Sequence, residues 1–168
     1  MTLQPFIYSE QKILPFPPDF LFDLVADVGA YSTFLPWCHR SIVHDTSETH
    51  LNATLFVGNG LYSERFTSHV ILDAPHRIKV HCESGPFQSL ENKWYFEPYA
   101  VPAMILDDLP SSSDASQRFQ GTKISFDIKV VFKNELRNHV FKALMTEATK
   151  IIIRRFETRA RTVFAMRK

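Results

Sequence analysis

The sequence has only two cysteines, no long apolar run and almost no net charge. Cys38 and Cys82 form no Cys-x-x-Cys pair, so neither a disulfide framework nor a zinc ribbon is indicated, and a reducing compartment is expected. No apolar run approaches the roughly 20 residues that a bilayer-spanning helix needs. The N-terminus carries neither a secretory signal nor an Arg- and Ser-rich transit segment, so we expect any targeting segment to be absent here, removed or cryptic.

Recognisable catalytic motifs are also missing. None of the seven histidines falls in a His-x-x-x-His or His-Glu-x-x-His arrangement, and there is no Gly-x-Ser-x-Gly elbow or Gly-rich phosphate loop. We therefore predict no metal site, no catalytic residue, no catalytic cofactor and no enzymatic activity. Glu64 leaves one alternative open, because alternation puts it on the same strand face as Phe66 and Val70, where it would serve a cyclase-like or hydrolytic enzyme.

Charge is unevenly distributed along the chain. The total is +1, which gives no indication of DNA binding, yet residues 150–168 hold seven basic residues against Glu157 alone, a local charge of +6. Such asymmetry favours contact with a negatively charged surface, although a solvated helix face would show the same pattern.

Length and aromatic content indicate a packed domain. The 168 residues fit a single domain, 1–168, and 15 of them are Phe. Aromatic side chains supply large, rigid apolar surfaces, either for an ordinary core or for the walls of a cavity.

Periodicity predicts the order of the elements. An extended segment, 5–14, precedes a helix that begins near Pro18 and ends at Gly29, and a second short helix is expected over 31–35. Period-2 alternation from 41 to 132 predicts six strands joined as a meander by turns at 58–60, 73–75 and 85–86. The polar composition of residues 107–121 predicts a long loop.

The C-terminal segment predicts one long amphipathic helix from Asn134, with apolar residues at nearly constant steps of four. A single sheet layer must curve around such a helix to bury its inner face. We therefore predict an α+β fold, in which a curved seven-stranded antiparallel sheet surrounds the helix and two short helices follow strand 1. If sheet and helix separate at one end, an apolar cavity opens.

Several motifs resemble the coenzyme Q-binding family of the START-like, polyketide cyclase superfamily. The most specific is Phe-Leu-Pro-Trp-Cys, 34–38, with the helix at 22–28 and Tyr31 before it. Weaker matches follow in the family's order at 53–55, 64–68, 85–87, 94–98 and 123–127. Two departures are the absence of an evident transit peptide and the length of the 107–121 insertion.

The resemblance implies a helix-grip (START/Bet v 1-like) fold that binds ubiquinone and acts as its carrier or chaperone in respiratory electron transport. It also implies a peripheral position on the matrix side of the mitochondrial inner membrane. Bacterial relatives include a ribosome-association toxin, so a ribosome-binding regulator is the main alternative.

A quinone carrier needs apolar walls, a few polar contacts and a route to the membrane. Ordinary core packing is the competing explanation for each wall residue. The ligand-binding candidates are Leu35, Pro36, Trp37, Leu55, Glu64, Phe66, Val80, Trp94, Phe96, Phe126, Ile128, Leu144, Ala148, Ile152 and Phe156. The membrane-contact candidates are Lys150, Arg154, Arg155, Arg159 and Arg161, which suit anionic lipid and ribosomal RNA equally well.

Overall fold

A computed structural model describes residues 3–58, 61, 63–100 and 120–167, with backbone alone at 120 and 135–144. The elements are β1 (Phe6–Leu14), α1 (Pro18–Ala26), a 3₁₀ helix (Val28–Thr33), β2 (Cys38–Thr46), β3 (His50–Gly58), β4 (Ser63–Asp73), β5 (Arg77–Cys82), β6 (Phe87–Ala100), β7 (Gln120–Phe132) and α2 (Glu135–Met166). The predicted α+β helix-grip architecture is confirmed.

All seven strands form one antiparallel sheet. Its order is β1-β7-β6-β5-β4-β3-β2, so β2 to β7 form the predicted meander and β1 pairs with β7 at one edge. Because β1 and β2 are the two edge strands, α1 and the 3₁₀ helix carry the chain from one edge of the sheet to the other. They lie on the same concave face as α2.

Several predicted boundaries were wrong. The first helix ends at Ala26 and not at Gly29. The second short helix runs over Val28–Thr33 and is 3₁₀, because the chain leaves α1 through the Asp27 N–H to Asp23 O bond and re-forms tight turns at once. The expected 107–121 loop is shorter at its end, since Gln120 and Gly121 pair with Ala100 and Tyr99 in long β-strands. The rest of that loop, and most of the 58–60 turn, lie outside the described residues.

The long helix α2 has 32 residues, or about 48 Å at 1.5 Å per residue. The predicted inner face followed steps of four through Ala148 and Ile152, but both are only partly buried. The fully buried positions in the described part are Thr149, Ile153, Phe156 and Ala160. Strict steps of four drift by about 40° per turn from the 3.6-residue period, which is why the sequence pattern missed Thr149 and Ile153.

Buried apolar side chains form two clusters under α2. The first cluster joins α1 and the C-terminal half of α2 to the sheet, and includes Leu21, Val25, Trp94, Ile153 and Phe156. The second cluster consists of Phe6, Cys82, Phe87, Leu90, Val130 and Phe132, with Met145 of α2 packed against it.

An ion pair joins α2 to the edge strand β1. The Lys12 ammonium donates to a Glu157 carboxylate oxygen at 2.9 Å, and Arg161 donates to the other oxygen at 3.0 Å. The hydrogen bond from Lys12 is the main cause that lowers the pKa of Glu157 below its usual range, and Arg161 adds to it. Glu157 is thus stabilised as the anion in the folded state.

Gly85 provides the first stability test. Its φ is +61°, and a Cβ there would overlap the carbonyl oxygen of Arg65. We expect Gly85→Ala to lower the free energy of unfolding by about 1–3 kcal/mol in urea denaturation, because both the backbone conformation and the contact oppose a side chain.

Gly29→Ala is the matched control. A Cβ at Gly29 meets no atom closer than 3.8 Å, so this variant should be neutral or slightly stabilising. Equal effects of the two substitutions would contradict the account of Gly85.

Glu157 predicts a pH dependence. A carboxylate with a lowered pKa contributes stability above the ordinary Glu value, and loses that contribution as the pH falls through the folded-state value. Glu157→Gln should therefore be less stable than wild type at pH 7, by up to about 1 kcal/mol for this partly exposed group. The difference should shrink in urea titrations at pH 3; a difference that does not change with pH would show that the charge has no role.

Candidate functional site

The concave face of the sheet is not uniformly covered by helices. Around α1 the inner side chains are buried, whereas five apolar side chains further along the face stay partly exposed: Tyr8, Leu55, Phe66, Val80 and Ile128. Three of them, Tyr8, Val80 and Ile128, pack against both buried clusters. We call these five residues the accessible wall.

A row of paired residues crosses the sheet at the boundary between the two clusters. Tyr8 pairs with Ile128, Ile128 with Asn92, and Asn92 with Val80. We call these four residues the middle row. It combines three members of the accessible wall with one buried amide, so it offers an apolar surface and a polar group at the same level.

Polar groups of the middle row have defined partners. The Asn92 amide nitrogen donates to Asp127 O at 3.0 Å, and its oxygen accepts from Trp94 Nε1 at 2.8 Å. The Tyr8 hydroxyl donates to Glu10 at 2.6 Å. That hydrogen bond, followed by burial, raises the pKa of Tyr8 to about 12, so the phenol stays protonated at neutral pH.

A small void lies between α1, α2 and strands β1, β6 and β7. It measures about 30 Å³, enough for one or two water molecules, and Trp94, Phe126 and Phe156 are among its walls. Glu10, Lys12 and Glu157 close it toward β1. A lipid head group exceeds this volume, so a ligand would have to occupy the accessible wall or push α1 and α2 apart.

Aromatic rings hold α2 at the closed end. Phe156 contacts Trp94, Tyr31 and Phe34 with ring centroids 5.0–5.3 Å apart, and Phe164 contacts Phe16 and Phe20, each at 5.1 Å. Edge-to-face packing of this kind adds to the area that the rings bury. These ring contacts fix this end of α2 against α1 and the sheet.

The structure places the predicted ligand-binding residues in different surroundings, and their roles stay predictions. Leu55, Phe66, Val80 and Ile128 belong to the accessible wall, while Trp94, Phe126 and Phe156 surround the void. Phe96 is 1% exposed and packs between Phe22 and Trp94 in the closed core. Ala148 and Ile152 are partly buried on α2, and the side chain of Leu144 lies outside the described part.

Glu64 lies on the concave face. It pairs with Val57 and is partly buried, while its neighbour Arg65 is exposed on the other face. The expected direction of alternation is thus observed, and a carboxylate stands near the end of the accessible wall formed by Leu55 and Phe66.

Hydrogen bonds anchor the segment that joins the 3₁₀ helix to β2 and the two elements that flank it. The Tyr31 hydroxyl donates to Val25 O at 2.5 Å, Ser41 Oγ to Val28 O at 2.6 Å, and the Gly58 amide to Trp37 O at 2.9 Å. Leu35 is partly buried against the first cluster, and Pro36 is exposed. The segment contacts α2 through the Phe34 ring, which packs against Phe156.

A basic cleft separates this segment from α2. It has a volume of about 610 Å³ and is lined by Ser32, Thr33, Phe34, Leu35, Pro36, Cys38, His39, Arg155, Thr158, Arg159 and Thr162. The Arg159 guanidinium stacks over the Phe34 ring at 5.6 Å, which holds it toward the cleft. Two guanidinium groups beside several hydroxyls favour an anionic group.

The other predicted membrane-contact residues have different surroundings. Lys150 pairs with Glu147 at 2.9 Å and Arg161 with Glu157 at 3.0 Å, so their charges are partly neutralised, while Arg154 is exposed. Membrane contact stays a prediction that rests mainly on Arg154, Arg155 and Arg159.

The described residues hold neither a metal-binding cluster nor a membrane-spanning helix. No group of three or more His, Cys, Asp or Glu side chains there is placed to hold a metal ion. The described helices include none that is long and apolar enough to cross a membrane.

Sequence reasoning missed two polar side chains on the inner face. Asn92 alternates with Leu90 and Trp94 along β6, and Thr149 stands one turn from Ile153 on α2. The signal was present in both cases, as a polar residue at a position where the period requires an apolar one.

Curated relatives of two kinds match most of the chain. The ribosome association toxin RatA of Pseudomonas aeruginosa is 32% identical over 93% of this chain and 96% of its own length. The mitochondrial coenzyme Q-binding protein COQ10 homolog B of Xenopus laevis is 30% identical over 94% of this chain. The chain spans 59% of the length of that relative.

Solved structures support the fold. An 18 kDa protein from Caulobacter crescentus is 28% identical, with a TM-score of 0.66 over 95% of this chain and 98% of that one. An aromatase/cyclase from a Streptomyces species has a TM-score of 0.73 over 94% of each chain at 13% identity, a likeness of fold alone. The model of the family described as polyketide cyclase / dehydrase and lipid transport matches residues 14–157, and the chain therefore belongs to that family.

Proposed function

We propose that the chain binds ubiquinone against its concave face and carries or positions it for respiratory electron transport, without catalysing a reaction. The observation that carries this proposal is the accessible wall. Its five apolar side chains stay partly exposed on a face where Trp94, Phe96 and Phe126 are buried, as a site for an apolar ligand requires.

The chemistry of a prenylquinone suits this surface. Its tail needs only apolar contact, which Ile128, Val80, Leu55 and Phe66 offer, and its ring needs a few hydrogen-bonding groups at one level. The middle row supplies a buried amide at Asn92 beside the Trp94 indole. Relatives named as coenzyme Q-binding proteins, in Xenopus laevis and Drosophila melanogaster, support the choice of quinone.

The proposed location is peripheral, at the matrix face of the mitochondrial inner membrane. It follows from the mitochondrial names of those two relatives and from the physical need to exchange a quinone with a bilayer. The basic cleft would then face anionic lipid, where each nearby Lys or Arg contributes about 1 kcal/mol.

The second candidate is a regulator that binds the ribosome. The basic cleft favours it as well, because attraction to phosphate carries no sequence information, and RatA relatives match as closely as the coenzyme Q-binding ones. A cyclase-like activity through Glu64 has less support, since the cyclase likeness extends to the fold alone.

Quinone binding can be measured by fluorescence quenching. The chain has two Trp residues, so a Trp37→Phe background leaves Trp94, beside the middle row, as the reporter. Titration with a short-tailed ubiquinone should quench it saturably. In that background Ile128→Asp should weaken binding about tenfold or more, because it places a carboxylate on the accessible wall.

Ile7→Asp is the matched control. Ile7 is adjacent to Tyr8 on β1 but faces outward and is 66% exposed, so binding should be unchanged. Circular dichroism checks that both variants fold. Equal affinity of the Ile128→Asp variant and the control would contradict a site on the concave face.

The two candidates differ in what the basic cleft contacts. We expect the protein to float with cardiolipin-containing vesicles and not to sediment with ribosomal subunits at physiological salt. The Arg155→Glu, Arg159→Glu double variant should lose flotation. Lys79→Glu with Lys129→Glu makes the same change of net charge on the outer face of the sheet, and should retain it.

The opposite pattern would support the second candidate. Sedimentation with a ribosomal subunit that is lost in the cleft variant, together with no flotation, would replace the carrier proposal with the ribosomal one.

A further inference from the structure

Thr149 carries a buried hydroxyl that the fold does not use. The residue lies on the inner face of α2 and is 1% exposed, and its Oγ1 has no hydrogen-bond partner among the described residues. Burying an unsatisfied hydroxyl destabilises a protein, so such groups are rare and call for an explanation.

Other threonines in the chain show the usual solutions. On α2 itself, Thr158 and Thr162 donate to the carbonyl four residues earlier, each at 3.0 Å. Thr122 is fully buried in β7 and donates to Phe16 O at 2.6 Å. Thr149 has neither kind of bond, although the carbonyl of Met145 stands at the same helical spacing.

The position of Thr149 along α2 places it at the boundary of the two clusters. Met145, one turn before it, packs against the second cluster, and Ile153, one turn after it, belongs to the first. The middle row lies at this same boundary, because Tyr8, Val80 and Ile128 pack against both clusters. Thr149 and the middle row therefore face each other across the groove.

Two buried polar groups, Thr149 and Asn92, thus lie at the same boundary between the clusters. The side-chain amide of Asn92 has two hydrogens, and it donates one of them to Asp127 O. Thr149 brings a donor and an acceptor of its own. A ligand that carries oxygen acceptors on a flat apolar ring would satisfy both groups at once.

We propose that Thr149 donates a hydrogen bond to a carbonyl oxygen of the bound quinone ring, which enters between α2 and Asn92 of the middle row as α2 moves away from the sheet. This assignment rests on the proposed quinone binding and adds the position of the ring. The prenyl tail then follows Val80, Phe66 and Leu55 along the accessible wall.

The test uses Thr149→Val, which replaces the hydroxyl by a methyl group of similar size. Without ligand, the melting temperature should rise by about 2–4 °C, since an unsatisfied buried hydroxyl is removed. Affinity for short-tailed ubiquinone should fall about tenfold, whereas affinity for a prenyl hydrocarbon without the quinone ring should not change. A purely structural role would not produce these opposite effects.

Thr122→Val is the matched control, because its hydroxyl is buried but satisfied. It should lower the melting temperature and leave the ratio of quinone to hydrocarbon affinity unchanged. If Thr149→Val does not fold, the pair Thr149→Ser and Thr149→Ala gives the same comparison, since the two differ in the hydroxyl alone.

The outcomes distinguish this inference from the proposed function. If wild type binds ubiquinone and Thr149→Val binds it equally well, the hydrogen bond is refuted while quinone binding stands. If wild type binds no ubiquinone, the proposed function fails, and the assignment of Thr149 fails with it.

Discussion

A curved sheet with an apolar concave face requires a cover as long as the sheet is wide, and in this chain α2 is that cover. Toward its C-terminus the Phe156 ring packs against Trp94, and the Lys12–Glu157 bridge joins the helix to β1. Aromatic packing and a hydrogen-bonded ion pair both restrict sliding of the helix over the sheet. These contacts set the position of α2 over the first cluster of the concave face.

The concave face is therefore covered unevenly along the direction of α2. Around α1 the groove is filled with side chains and keeps a void of about 30 Å³, whereas the accessible wall stays partly exposed. The boundary between the two regions carries the polar groups of Asn92 and Thr149. The accessible wall is apolar and begins at this polar boundary. This arrangement matches a ligand with an oxygenated head group and a long apolar tail.

Much of the fold could be predicted from the sequence because local periodicity and tertiary burial agree there. In β7, Phe126 and Val130 face inward and Lys129 outward, as the alternation required. On α2 the inner face could not be located to within one residue, since Ile152 and Ile153 are both apolar and only packing decides between them.

The distinction between wall and core also depended on packing: Phe96 and Ile128 have the same pattern in the sequence, yet Phe96 is enclosed by Phe22 and Trp94. The polar positions Asn92 and Thr149 were missed because a polar residue in an apolar period looks like an interruption until its neighbours are known.

The central claim is that the concave face holds a prenylquinone. It is tested most directly by purifying the full-length chain from cells that make their own quinones, extracting the bound lipid, and identifying it by mass spectrometry. The account predicts that a prenylquinone is recovered with the wild-type chain and is depleted in the Ile128→Asp variant. Recovery of phospholipid alone, or of no lipid, both from cells and after incubation with ubiquinone, would contradict it.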